Sequence, residues 1–274
     1  MISGIVVIAR KELRDAFRSR WALAFAATFA VVALALMVVQ GQGGDVGAQG
    51  FNRTTAGLVN LCLMLTPLLA LVLGAGAVAG ERERGTLTTL LSQPVSPGQI
   101  ILGKYVGITA AVWLAIVLGF GAAGLLAALV QPLTGIGHYA LFILLSCALA
   151  SAMLGLGMVI SVYADSRLKA LALAILVWFA LVLLYDLGAV GLALAFSSSG
   201  RALLLAVLGN PIECVRILAI MALEPDLDVL GPLGAYVTNE VGRSAGALLL
   251  LGALAAWVSV PLAITLRVFS RADA

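Results

Sequence analysis

The feature that most constrains this chain is a series of apolar runs of about 20 residues or more, each long enough as a helix to cross the roughly 30 Å hydrocarbon layer of a bilayer. They stand at residues 21–40, 58–80, 105–130, 139–162, 170–190 and 244–266. Composition agrees. Hydrophobic residues are 62% of the 274 and charged residues 11%, where a soluble domain has roughly 45–50% apolar and about 25% charged. Lipid is therefore the expected solvent, and the expected fold is all-α: one transmembrane domain over 1–274 with six spanning helices. The first run exceeds the roughly 7–15 residues of a signal-peptide core and is expected to be retained. The net charge of +3 is too small to suggest nucleic acid. Cys62, Cys147 and Cys214 are odd in number and far apart, which gives neither a disulfide framework nor a paired metal motif.

Charge placement orients the spans. Of the 16 lysines and arginines, only Arg53, Arg201, Arg216 and Arg243 fall in the segments on one side. The other twelve fall on the side that holds both termini, so both termini are expected in the cytoplasm. Asp45, Glu213, Glu224, Asp226, Asp228 and Glu240 make the outer side acidic. Asp186 is the one carboxylate inside a span, near its outer end, and intramembrane charge marks a functional candidate. An interfacial, hydrogen-bonded residue is the equal alternative.

Residues 1–20 predict an amphipathic helix on the inner leaflet. Ile5, Ala9, Leu13 and Phe17 form an apolar stripe, Lys11, Arg14 and Arg18 a basic face, and Lys11 can pair with Asp15. Residues 201–223 are apolar but hold Asn210, Pro211, Glu213 and Arg216 at their centre, where a straight span would bury charge. Asn as N-cap, Pro at the first helical position and Glu as a capping-box residue predict a helix start there. Two short helices on the outer surface are expected, then a loop over 224–242. Residues 191–243 thus form an extracytoplasmic segment.

Between the second and third runs lies a cytoplasmic loop, residues 81–99. The charged knot Glu81-Arg82-Glu83-Arg84 ends the span, and Thr86, Leu87, Leu90 and Leu91 mark a short helix. Pro94 stops it, and Ser96-Pro97-Gly98-Gln99 restarts with capping-box signals. The leucines suit docking into a groove on a cytoplasmic partner; a tight connector without a partner is the equal alternative on these grounds.

The segment from Glu81 to Lys104, with Gly-Thr-Leu, a Leu pair, Pro-Val-Ser and Ile-Leu-Gly-Lys, resembles the signature of type-two ABC transporter permeases. Ile8-Ala9-Arg10-Lys11-Glu12-Leu13 with Arg20-Trp21 is similar to that family's N-terminal elbow helix. The elbow, Tyr185-Asp186 and Gly209-Asn210-Pro211-Ile212-Glu213 with Arg216 resemble, more narrowly, the permeases of nitrous oxide reductase maturation systems. Glu213 is a conservative departure from the Asp common there. The resemblance implies a bacterial inner-membrane subunit working as two copies with two ATPase subunits inside and a periplasmic partner outside, in support of copper-site assembly. ATP and Mg would be bound by the ATPase, and no cofactor by this chain. Glu81, Arg82, Glu83, Arg84, Thr86, Leu87, Leu90 and Leu91 become ATPase-coupling candidates. Asn210, Pro211, Glu213 and Arg216 become outer docking candidates.

Near-motifs fail in context. Gly98-x-x-x-x-Gly103-Lys104 is followed by Tyr105, not the Ser or Thr of a P-loop. Gly74-x-Gly76-x-x-Ala79 and Gly119-x-Gly121-x-x-Gly124 lie inside spans, where small residues permit close helix packing. His138 sits at the outer edge of a span with Ser146 and Ser151 deeper on the adjacent helix, but no oxyanion motif accompanies them. Cys147 and Met158 are too far apart for one Cu(I) ion. No catalytic or metal site is expected. The rival functions are export of a lipid or drug, secondary transport, which would want paired midplane charges, and a scaffold without transport.

Overall fold

The computed structural model describes residues 2–18, 53–92, 95–130, 136–185, 187–188, 200–223 and 227–272, with positions 24, 27, 28, 30 and 31. Apart from those five positions, the expected first span at 21–40 lies outside the described residues, as do Asp186 and the side chains of Leu90, Leu91 and His138.

All regular structure among the described residues is helical. Helix α1 spans Ile2–Arg18, α2 Arg53–Glu83, α3 Thr86–Leu91, α4 Pro97–Val130 and α5 Ile136–Tyr163. Helix α6, Arg167–Phe179, runs on into a π-helical turn, Ala180–Leu184. Then come α7, Gly200–Leu208, and α8, Pro211–Leu223. A 3-10 turn, Leu227–Leu230, leads to α9, Pro232–Tyr236, a π-helical turn, Val237–Val241, and α10, Arg243–Ala272. Five helices, α2, α4, α5, α6 with its π turn, and α10, are long and apolar enough to cross a membrane. They match the five described runs.

Helices α2 and α5 form the central pair. They approach closely because both present glycine at the crossing. A Cβ on Gly74 would stand 2.4 Å from the Leu154 carbonyl oxygen, and one on Gly157 2.5 Å from that of Leu71. Ser161 Oγ accepts from the amides of Val78 and Ala79 at 2.9 Å each. The packing expected of the first glycine motif is therefore present at Gly74, whereas Gly121, in the second, faces open space. Indole donors tie neighbouring helices to this pair: Trp113 Nε1 donates to the Cys147 carbonyl and Trp178 Nε1 to that of Met64. Helices α6 and α10 stand at the periphery, only 11% and 17% buried over their spans. Their exposed leucines, Leu168, Leu176 and Leu248 among them, suit an acyl-chain environment.

The segment after α7 departs from the surface reading. Helices α7 and α8 meet at 117°, so 201–223 is no straight span, as expected. Yet α8 does not lie on a surface. It is wedged against α5 and α10, with Ile212, Val215, Ile217, Leu218 and Ile220 buried. Its apolar residues cover almost its whole circumference, and a helix apolar all round is buried. The expected loop at 224–242 is largely helical turns over 227–241. Leu227, Leu233 and Val237 are buried, and Pro232 occupies a first helical position after Gly231, whose φ of +56° favours glycine.

Candidate functional site: a charged knot at one end of the bundle

The loop after α2 forms as its capping signals demand. Gly85, at φ +70°, ends the turn after α2, and α3 follows at once. Ser96 and Gln99 cap α4 reciprocally: Gln99 Oε1 accepts from the Ser96 amide at 3.1 Å, and Ser96 Oγ from the Gln99 amide at 3.4 Å.

Each of the first three knot residues holds a different element. Glu81 Oε1 pairs with Lys104 Nζ of α4 at 2.7 Å, and Lys104 also reaches Glu12 Oε1 of α1 at 2.9 Å. Lys11 adds contacts of 3.4 Å to Glu12 and 3.8 Å to Glu81. Lys104 is 2% exposed, so its charge is compensated by carboxylates from two other elements and not by water. Arg82 Nη1 donates to the carbonyls of Val162 and Ala164 at 3.2 and 2.7 Å, satisfying the C-terminal end of α5. Glu83 Oε2 accepts from the Arg167 amide at 3.1 Å, placing a negative charge at the N-terminus of α6. Arg84 is exposed. Thr86 Oγ1 donates to the Glu81 carbonyl. Leu87 is half-buried against the bundle core. The helix expected at Leu87, Leu90 and Leu91 is present as α3.

Glu12 stands outside the membrane-spanning helices. Burial alone would push its carboxyl up, but Lys104 and Lys11 outweigh burial and hold it below the usual carboxylate range. The expected Lys11–Asp15 pair is present at 3.9 Å, exposed and therefore weak.

The P-loop-like stretch has a structural explanation. Helix α1 packs along α4, and Gly103 and Gly107 are the seats. A Cβ on Gly103 would stand 2.7 Å from Ile8 Cβ, and one on Gly107 2.6 Å from the Ala9 carbonyl oxygen. Lys104, between them, supplies the ion pair. The docked face of α1 is centred on Ile8, Glu12 and Ala16, while Ile5, Ala9, Leu13 and Phe17 are half-buried at its margin and Val6 and Val7 are exposed. Sequence reasoning missed Glu12 and Lys104 as partners. The available signal was a lone lysine among the apolar residues that open α4.

The bend between α7 and α8 gathers the other candidates. Asn210 caps α8, its Oδ1 accepting from the Ile212 amide at 3.0 Å, while its Nδ2 donates to the Leu181 carbonyl at 2.8 Å. Carbonyls at the end of α7 are met in turn: Leu205 by the Gly209 amide, Ala206 by Tyr185 Oη, Val207 by the Asn210 amide and Cys214 Sγ, Leu208 by Trp257 Nε1. This accounting lets a sharp bend exist in apolar surroundings. Asn210 and Pro211 are buried; Glu213 and Arg216 are paired at 2.7 Å and less deeply enclosed. Ser146 and Ser151 donate to carbonyls one turn back on their own helix. No cluster of metal-ligating side chains occurs among the described residues.

A bundle of apolar spans with its loop charges interlocked at one end defines a multi-span helical membrane protein, and comparison gives its family. The sequence profile of the ABC-2 family transporter proteins matches residues 6–274, and the chain belongs to that family, whose membrane subunits are transport components and not themselves enzymes. It is 35% identical over 273 residues to a probable ABC transporter permease protein NosY of Stutzerimonas stutzeri, covering 96% of this chain and 97% of the relative. A NosY of Pseudomonas aeruginosa is also 35% identical, over 274 residues with the same coverage.

Proposed function

We propose that two copies of this chain pair with two separate ATPase subunits, and that the loop 81–99 receives their closure as a rigid-body push. The observation that carries this reading is the interlock: Glu81, Arg82 and Glu83 join the loop to α1, α4, α5 and α6. A push on α3 then moves four helices together, since packed interfaces shift between discrete arrangements more readily than they deform. Leu87, Leu90 and Leu91 form the contact with the ATPase, and the bent α7–α8 hairpin relays the movement to a periplasmic partner through the side of α8 that carries Glu213 and Arg216. Energy comes from ATP and Mg held by the ATPase. The likeness to NosY proteins supports a role in copper-site maturation of nitrous oxide reductase.

The test is reconstitution with the cognate ATPase. Replacing Leu90 and Leu91 by Asp should abolish stimulation of ATP hydrolysis by the permease while leaving assembly of the spans intact. Unchanged stimulation would sink the coupling role of the loop.

A further inference from the structure

Helix α1 docks one face on the bundle and leaves another without a protein partner. Its helical repeat sorts the side chains into rows. Ile8, Glu12 and Ala16 form the row held against α4, buried or half-buried. Ile5, Ala9, Leu13 and Phe17 form the next row around the helix and are half-buried. Arg10, Arg14 and Arg18 form the row after that, and all three are exposed. They fall within about 80° of the circumference and about 12 Å of the length of the helix. Val6 and Val7, 55% and 67% exposed, stand at the N-terminal end of this outward face. The order around α1 is thus a docked row, an apolar row and a cationic row.

The acidic residues of α1 do not serve these arginines. Glu12 is taken by Lys104 and Asp15 by Lys11, and among the described residues no ion pair or hydrogen bond reaches the side chains of Arg10, Arg14 or Arg18. Depth decides what can meet them. The seats of α1, Gly103 and Gly107, flank the point where the apolar run of α4 begins, so α1 lies where hydrocarbon gives way to headgroups. A basic row bordering an apolar row is the arrangement of a helix lying in that boundary, and the guanidinium fork matches phosphate. We propose that the row of Arg10, Arg14 and Arg18 binds the phosphates of anionic phospholipids, which makes α1 a headgroup-recognition surface as well as a packing element. An acidic protein surface is disfavoured because the exposed valines and the half-covered apolar row flank the arginines and suit acyl chains. This surface does not depend on the ATPase-coupling reading, and its test in lipid uses no nucleotide.

The experiment is hydrogen–deuterium exchange of the full chain in nanodiscs, either of phosphatidylcholine alone or of phosphatidylcholine with an equal share of phosphatidylglycerol. Amides of α1 should exchange more slowly in the anionic discs, by about fivefold for each arginine engaged, the effect of one basic residue beside an anionic leaflet. The difference should collapse in about 1 M salt, where the Debye length falls to about 3 Å. Arg10→Gln, Arg14→Gln and Arg18→Gln together should remove it at an unchanged unfolding temperature in detergent, and lysine at the same three positions should keep most of it. Equal exchange in the two kinds of disc, or a difference that survives in the triple glutamine variant, would overturn the proposal. So would slowing that appears only on addition of the cognate ATPase and ignores lipid charge, which would assign the row to an acidic protein surface.

Discussion

Lys104 sits two turns into an apolar helix, and its ammonium is compensated by two carboxylates from other elements. Removing it leaves Glu12 and Glu81 as partly or wholly enclosed charges. Lys104→Met should therefore cost about 3–5 kcal/mol, the range for breaking a buried pair from one side, read as a lowered unfolding temperature in detergent. Glu12 gives the knot a pH dependence. Its folded pKa lies below the ordinary value, which for an unfolded Glu is about 4.3. Its stabilisation is thus fully present above that value and is lost as pH falls through the depressed pKa. Thermal stability should hold from neutral pH down to about 5 and decline in the acid range, less steeply in Glu12→Gln. An unchanged acid limb in that variant would remove Glu12 from the account.

At the scale of elements, two glycine motifs with the same spacing behave differently. Gly74 lies against the backbone of α5, while a Cβ added at Gly121 would meet nothing within 4 Å. Gly74→Ala should destabilise by about 1–3 kcal/mol as an overpacked contact, and Gly121→Ala should stay within about 0.5 kcal/mol. Equal effects in unfolding measurements would show that spacing alone governs both. The same contrast explains what was legible. Capping signals at Ser96-Pro97 and Asn210-Pro211 are local, and the helix starts follow them. Which glycine meets another helix depends on how α2 and α5 cross, and no local signal carries that.

Across the whole molecule, the charged knot and the start of α10 lie at opposite ends. Leu266, near the end of α10, approaches Gly98 at the start of α4, so the chain's last helix returns to the knot. Single cysteines at Arg84 and Arg271 should react with a membrane-impermeant thiol reagent only after the inner membrane is opened, and one at Arg201 without opening it. Labelling of all three from the same side would reject the orientation expected from positive charge.

Sequence by itself determined the solvent, the five spans among the described residues and the helix starts, because each rests on properties summed along a local stretch: apolar length, charge placement and capping. It also carried the family signature in the loop at 81–99. Only the tertiary structure decided what the knot's charges do, since Glu12, Glu81 and Lys104 meet across 92 and 23 residues of chain. It likewise turned α8 from an expected surface helix into a buried one. The polar residues at its start read as surface because their partners, the Leu181 carbonyl and the end of α7, are brought to them only by the fold.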